Sequence, residues 1–139
     1  MKAPQVLLVP GNPLDLTEEK LQELIEDLNT EFTTEYSSRP MGGRGVTWWE
    51  VLAIYLATKG ADALIGHATV QAVDQIVYKV RRWVRRRRSA TESKRPFYLE
   101  LRDDEGNIIR AIEFSGDEEV DVTEREREKG RKPPPEIEP

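Results

Sequence analysis

The sequence predicts an α+β domain in the order β-α-β-α-α-β-β, a small mixed sheet with a C-terminal β-hairpin packed by a helical hairpin. Three observations predict it. The apolar run Gln5–Val9 and the alternating segment Phe97–Arg102 lie beside turn residues and read as strands. Longer stretches carry apolar residues at intervals of 3 and 4, the repeat of a helix with one buried stripe. The chain has 139 residues, the length of one domain and enough to bury its own core.

Each element has a local reason. Gln5–Val9 is a continuous apolar run closed by Pro10-Gly11-Asn12-Pro13, a strand followed by a turn. Thr17 then opens a helix. Its hydroxyl can accept from free first-turn amides, Glu18 and Glu19 suit the positive helix end, and Leu16 can staple onto Leu21. Leu21, Leu24, Ile25 and Leu28 form one stripe, so the helix ends near Asn29. Phe32, Thr34 and Tyr36 alternate with polar neighbours, which predicts a half-buried strand over Glu31–Ser37.

A breaker-rich loop, Ser37–Gly45, follows. Thr47-Trp48-Trp49-Glu50 places Glu three residues after Thr, a capping box, and predicts a second helix reaching Ala57 before Lys59-Gly60 ends it. Trp48, Trp49, Val51, Ile54 and Tyr55 cannot all face one small sheet. Either the next helix covers the remainder or another chain does. That third helix is expected from about Ala61 to Arg88, with Leu64, Ala68, Ala72, Ile76, Val80 and Val84 on one stripe, Trp83 beside it, and Gly66 as the expected bend. Phe97, Leu99 and Leu101 alternate with polar residues, Asp104-Glu105-Gly106-Asn107 supplies a turn, and Ile108–Phe114 returns as the hairpin's second strand. Glu119–Val122 adds a short edge strand. Residues 1–122 thus form a single α+β domain, and 123–139, charged and proline-rich, are expected to be a mostly disordered tail.

Composition excludes several kinds of chemistry. The chain has no cysteine, which removes disulfides, thiolate metal sites and a cysteine nucleophile. Its one histidine, His67, has no serine with nucleophile-elbow spacing to work with and reads as a structural or surface residue. Asp103, Asp104 and Glu105 lack the twelve-residue ligand spacing of a calcium loop. No catalytic residue, metal or cofactor is therefore expected, and an enzyme of a class the residues do not name stays open beside the non-enzymatic readings. The longest stretch without an ionised side chain, Ala3–Leu14, holds three prolines and falls short of the ~20 residues of a membrane-spanning helix. Val6–Val9 is too short for a secretory signal, so a cytoplasmic protein is expected.

Charge points to surfaces. The net charge of −5 conceals an acidic start, a basic middle and an acidic end. The basic middle culminates in Arg81, Arg82, Arg85, Arg86, Arg87 and Arg88 at one helix end, where they complement the helix dipole in greater number than a cap requires. Tyr78 and Trp83 lie among them, and aromatics between arginines can stack on bases. The residues leave open a solvated helix end, an acidic protein partner, and nucleic acid or anionic lipid. The acidic overall balance weighs against non-specific DNA binding. Gly43, Arg44 and Gly45 precede a predicted helix start, a place where free amides can meet an anion, though without phosphate-loop spacing. These residues, with Arg87 and Arg88, form a weak anion-binding set. Arg44, Trp48, Trp49, Tyr55, Arg81, Arg82, Arg85 and Arg86 form the expected partner-binding set, because aromatic and arginine side chains anchor most protein contacts.

From about residue 5 to residue 115 the order of features resembles the effector-associated constant components of bacterial conflict systems. The shared pattern is an N-terminal strand and helix, Gly43-Arg44-Gly45, an apolar helix with Gly60 after it, a long helix ending in Trp83-Val84-Arg85-Arg86, and a hairpin with the turn Asp104-Glu105-Gly106. Trp48-Trp49-Glu50 departs from it, since smaller residues are expected there. The resemblance implies a non-enzymatic adaptor in anti-phage defence. Its partner would be an effector encoded nearby, or its own copies as a homo-oligomer.

Overall fold

The computed structural model describes residues 4–12, 16–37, 50–61, 63–90, 96–115 and 118–123. Its elements are β1 (Val6–Pro10), α1 (Gln22–Asn29), β2 (Thr34–Tyr36), β3 (Glu50–Leu56), α2 (His67–Ala90), β4 (Phe97–Asp103), β5 (Ile108–Ser115) and β6 (Glu118–Asp121). The fold is α+β: a mixed six-stranded sheet in the order β2-β1-β3-β4-β5-β6, with two helices.

Two β-α-β units make up most of it. β1 and β2 are parallel neighbours joined through α1, and β3 and β4 are parallel neighbours on either side of α2 in the chain. β1 and β3 pair antiparallel, which brings the units side by side. These directions relate the units by an approximate two-fold axis normal to the sheet, between β1 and β3. β5 and β6 extend the second unit as an antiparallel meander.

Alternation sets the layers. Val6 and Leu8 of β1, Leu52, Ile54 and Leu56 of β3, and Phe97, Leu99 and Leu101 of β4 join Leu24 and Leu28 of α1 and Ile76, Val80 and Trp83 of α2 in one buried core. Both helices therefore lie on the same face of the sheet. Trp83 is 2 % exposed and meets Phe97 edge-to-face at 5.5 Å between ring centroids. Asp27 pairs with Lys79 and Glu23 with Arg86. Residue numbers rise along one helix as they fall along the other, so the helices run antiparallel.

The expected helix over 48–57 is corrected: Glu50–Leu56 is a central strand. The helical hairpin goes with it, since α2 packs against α1 and the two are separated in sequence by β2 and β3. A strand flanked on both sides and covered on its helix-facing side reads as a continuous apolar run, which periodicity alone does not separate from a helix. Val51, Ile54 and Tyr55 favour the extended form. The Glu50 side chain joins the helix-facing side of the sheet, buried against α2. Gly66 is not a bend in the long helix. It lies just before α2, with φ +58°. Leu16 and Leu21 are both buried in the core, and Thr17 Oγ1 accepts from Lys20 N at 3.2 Å, so the expected helix start is present as a turn ahead of α1. Gly11 ends β1 where a Cβ would fall 2.9 Å from Val51 Cβ, and its amide donates to the Val51 carbonyl at 2.8 Å. The expected tail lies outside the described residues apart from Thr123.

Candidate interaction surface on the outer helix

The arginines of α2 divide by the face they occupy. Arg81 reaches β6 and donates to both carboxylate oxygens of Glu119, through Nε at 2.8 Å and Nη2 at 2.5 Å. Arg87 reaches β3 and donates to Glu50 at 2.6 and 3.1 Å while lying over the Trp83 ring at 4.9 Å. Both are bidentate, the geometry that suits a guanidinium to a carboxylate. Lys79 is buried and donates to Asp27 at 2.9 Å. These three cations fasten α2 to β6, β3 and α1. The hydrogen bonds from Arg81, backed by its charge, hold the Glu119 carboxyl below its ordinary range against some desolvation.

Arg82, Arg85 and Arg86 are exposed on the outer face. Arg82 lies over the ring of Tyr78 at 5.5 Å, and Tyr78 is itself 51 % exposed. Arg86 comes within 3.8 Å of Glu23, with both side chains largely in solvent. Glu23 and Glu26 line the groove that Arg82 and Arg86 border between the helices. Toward the start of α2 lies a second, larger furrow of about 760 Å³, lined by Phe32, Leu64, Ala68 and Ala72, with Glu31 and Asp74 among its polar lining. Ile65 and Val70 stand exposed at this end of the molecule.

The expected partner-binding residues do not gather in one place. Tyr55 alternates with the core residues Ile54 and Leu56, so it lies on the sheet face away from the helices, in register with Leu7 and Arg102. On that face Arg102 donates to the buried Glu100 at 2.7 Å, between the small side chains of Ala53 and Ala111. Gly43, Arg44, Gly45, Trp48 and Trp49 lie outside the described residues, as does the side chain of Arg88. His67 is exposed in the first turn of α2.

Sequence reasoning missed three features. The outer face of α2 before Tyr78, with Val70, Gln71 and Asp74, was legible as the complement of the buried stripe. The Glu50–Arg87 and Asp27–Lys79 pairs join residues far apart in sequence and carry no local signal. The third is Asp104. Its carboxylate accepts from Thr58 N, Thr58 Oγ1 and Lys59 N at 3.1, 2.6 and 3.1 Å. Asp103 accepts from the amides of Glu105 and Asn107, both at 2.9 Å. Asp103 and Asp104 bind backbone amides and Glu105 pairs with Lys59, and among the described residues no group of three or more metal-ligating side chains comes together. No described helix is long and apolar enough to cross a membrane.

The site thus defines a class: an α+β protein presenting a cationic and aromatic helix face. Comparison with family models, curated proteins and solved structures gives no match to this chain.

Proposed function

We propose that this protein is a non-enzymatic adaptor of a bacterial defence operon, which holds an effector protein or its own copies on the outer face of α2. The defence role is what the resemblance implies, and one observation supports the binding face: Arg82, Arg85 and Arg86 stand exposed beside a half-exposed Tyr78, on a helix whose inner side is fixed by Trp83. Arginine and tyrosine are frequent energetic anchors of protein contacts. Mounting them on a packed helix lowers the ordering cost of binding.

The same guanidiniums are the basis of the alternative, an anionic polymer or lipid surface. Glu23 and Glu26 line the groove that Arg82 and Arg86 border, and carboxylates beside the cations repel a phosphate chain. A protein partner, which can place cations against those acids as well as anions against the arginines, fits better.

Affinity purification from the native host tests the reading. The intact chain is expected to retain the product of a neighbouring gene, and Arg85→Ala with Arg86→Ala to lose it while circular dichroism stays unchanged. A chain that stays monomeric and retains no neighbouring product overturns it. Salt-sensitive binding of nucleic acid or anionic vesicles near 50 mM salt, in place of protein capture, selects the alternative.

A further inference from the structure

The outer face of α2 has a symmetry that its arginines alone do not reveal. Gln71, Asp74, Tyr78, Arg82 and Arg85 are all exposed, at successive intervals of 3, 4, 4 and 3 residues. The spacing is a palindrome centred on Tyr78. Intervals of 3 and 4 keep the five residues on one stripe of the helix. The half before Tyr78 carries the acid Asp74, with Glu31 across the furrow, and the half after it carries Arg82, Arg85 and Arg86.

We propose that a second copy of this chain pairs along this stripe, its α2 antiparallel to the first, about a two-fold axis at Tyr78. An isologous contact requires a patch complementary to itself, and the palindrome supplies one. Asp74 then faces the second copy's Arg82, Gln71 faces its Arg85, Ala68 lies against the stem of its Arg86, and the two Tyr78 rings meet at the axis. Each charge contact occurs twice. The Asp74 side chain is 68 % exposed even with Arg110 at 3.3 Å, so it is open to a second guanidinium.

The furrow adds shape to charge. α2 has 24 residues and α1 only 8, about 36 Å against about 12 Å. Because the helices run antiparallel, α1 has ended by the level of the first turns of α2, and Ala68 and Ala72 floor the space left beside them. Arginine stems of the second copy can lie over such small residues while their heads reach Asp74 and Glu31.

This inference rests on the adaptor reading of the α2 outer face and names the partner there as the chain itself. Sedimentation of the full chain across the micromolar range tests it, with circular dichroism to verify folding of each variant. The expected result is a reversible dimer. Asp74→Arg and Arg82→Asp each weaken it about tenfold or more, since each sets like charges together. Mixing the two variants restores pairing, because every facing pair is then opposite in sign. Tyr78→Cys places one thiol at the axis of a chain with no other cysteine, and mild oxidation is expected to link two copies through it. A monomer at all concentrations overturns the inference, as does a dimer indifferent to both charge reversals and not linked through position 78. A monomer that still co-purifies with a neighbouring product overturns the dimer alone. A dimer that retains no other protein leaves the pairing intact and removes effector capture.

Discussion

The two β-α-β units share a topology, yet α1 has 8 residues where α2 has 24. α1 is long enough to cover its own pair of strands, and its inner residues Leu24, Ile25 and Leu28 are buried. α2 does this with Ala72, Val73, Ile76, Val77, Val80 and Val84, and still has length to spare at its first turns. Its cations follow the same division. Lys79, Arg81 and Arg87 fasten the helix to the molecule, whereas Arg82, Arg85 and Arg86 face outward. The longer helix therefore has two faces with different tasks, and holding the fold accounts for only one of them.

The largest expected effect breaks the inner face. Trp83 fills the space between α2 and β4, and Phe97 continues the contact to Phe114 at 6.0 Å. Trp83→Ala should cost about 3–5 kcal/mol, read as a lowered denaturation midpoint with an unchanged slope. A loss below about 1 kcal/mol would mean that the second unit is not anchored there.

A smaller effect separates the two arginine classes. Arg87→Ala leaves the buried Glu50 carboxylate without its bidentate partner, and losing the pair, partly open to solvent on the Arg87 side, should cost about 1.5–3 kcal/mol in total. Arg85→Ala removes an exposed side chain and should stay within about 0.5 kcal/mol. Equal costs for the two would erase the distinction between fastening and outward arginines.

That distinction also marks where sequence reading succeeds. The buried stripe of α2 from Ala72 onward, the Phe97–Phe114 hairpin, the first strand and the stripe of α1 were legible because a single period of 2 or 3.6 specifies each, whereas Leu64 precedes the helix and Ala68 is exposed. The strand β3 was not. Thr47 and Glu50 have capping-box spacing, and the run that follows is apolar without a break because β3 is flanked by β1 and β4 and backed by helices. The site was half legible. An arginine run is visible in any sequence, but which guanidiniums turn inward depends on Glu50 and Glu119, which lie 37 and 38 residues away. Only the outer stripe, read as the complement of the buried one, could have been placed from spacing alone.

The smallest effect sharpens the contrast between the units at their turns. In the first unit, neutral amides hold the entry to β2: Asn29 Oδ1 accepts from Thr34 N at 3.0 Å and Gln5 Oε1 from Thr33 N at 3.2 Å. In the second unit carboxylates do this work, Asp104 binding the exit of β3 and Glu119 the flank of α2. The Thr58 hydroxyl, with backbone amides of Thr58 and Lys59, holds the Asp104 carboxyl below its ordinary range despite some desolvation. A carboxyl lowered in the folded state stabilises fully above the unfolded value, near pH 4, and that contribution disappears as pH falls through the folded value. Acidification should therefore loosen the second unit first. In hydrogen exchange, amides at Thr58 and Lys59 are expected to lose protection on passing from pH 7 to about pH 3, after correction for intrinsic exchange, before those at Thr33 and Thr34. Asp104→Asn should lower the melting temperature at neutral pH by a few degrees, with the gap closing in acid. A gap that persists below the folded value would show that the turn is held by shape rather than by charge.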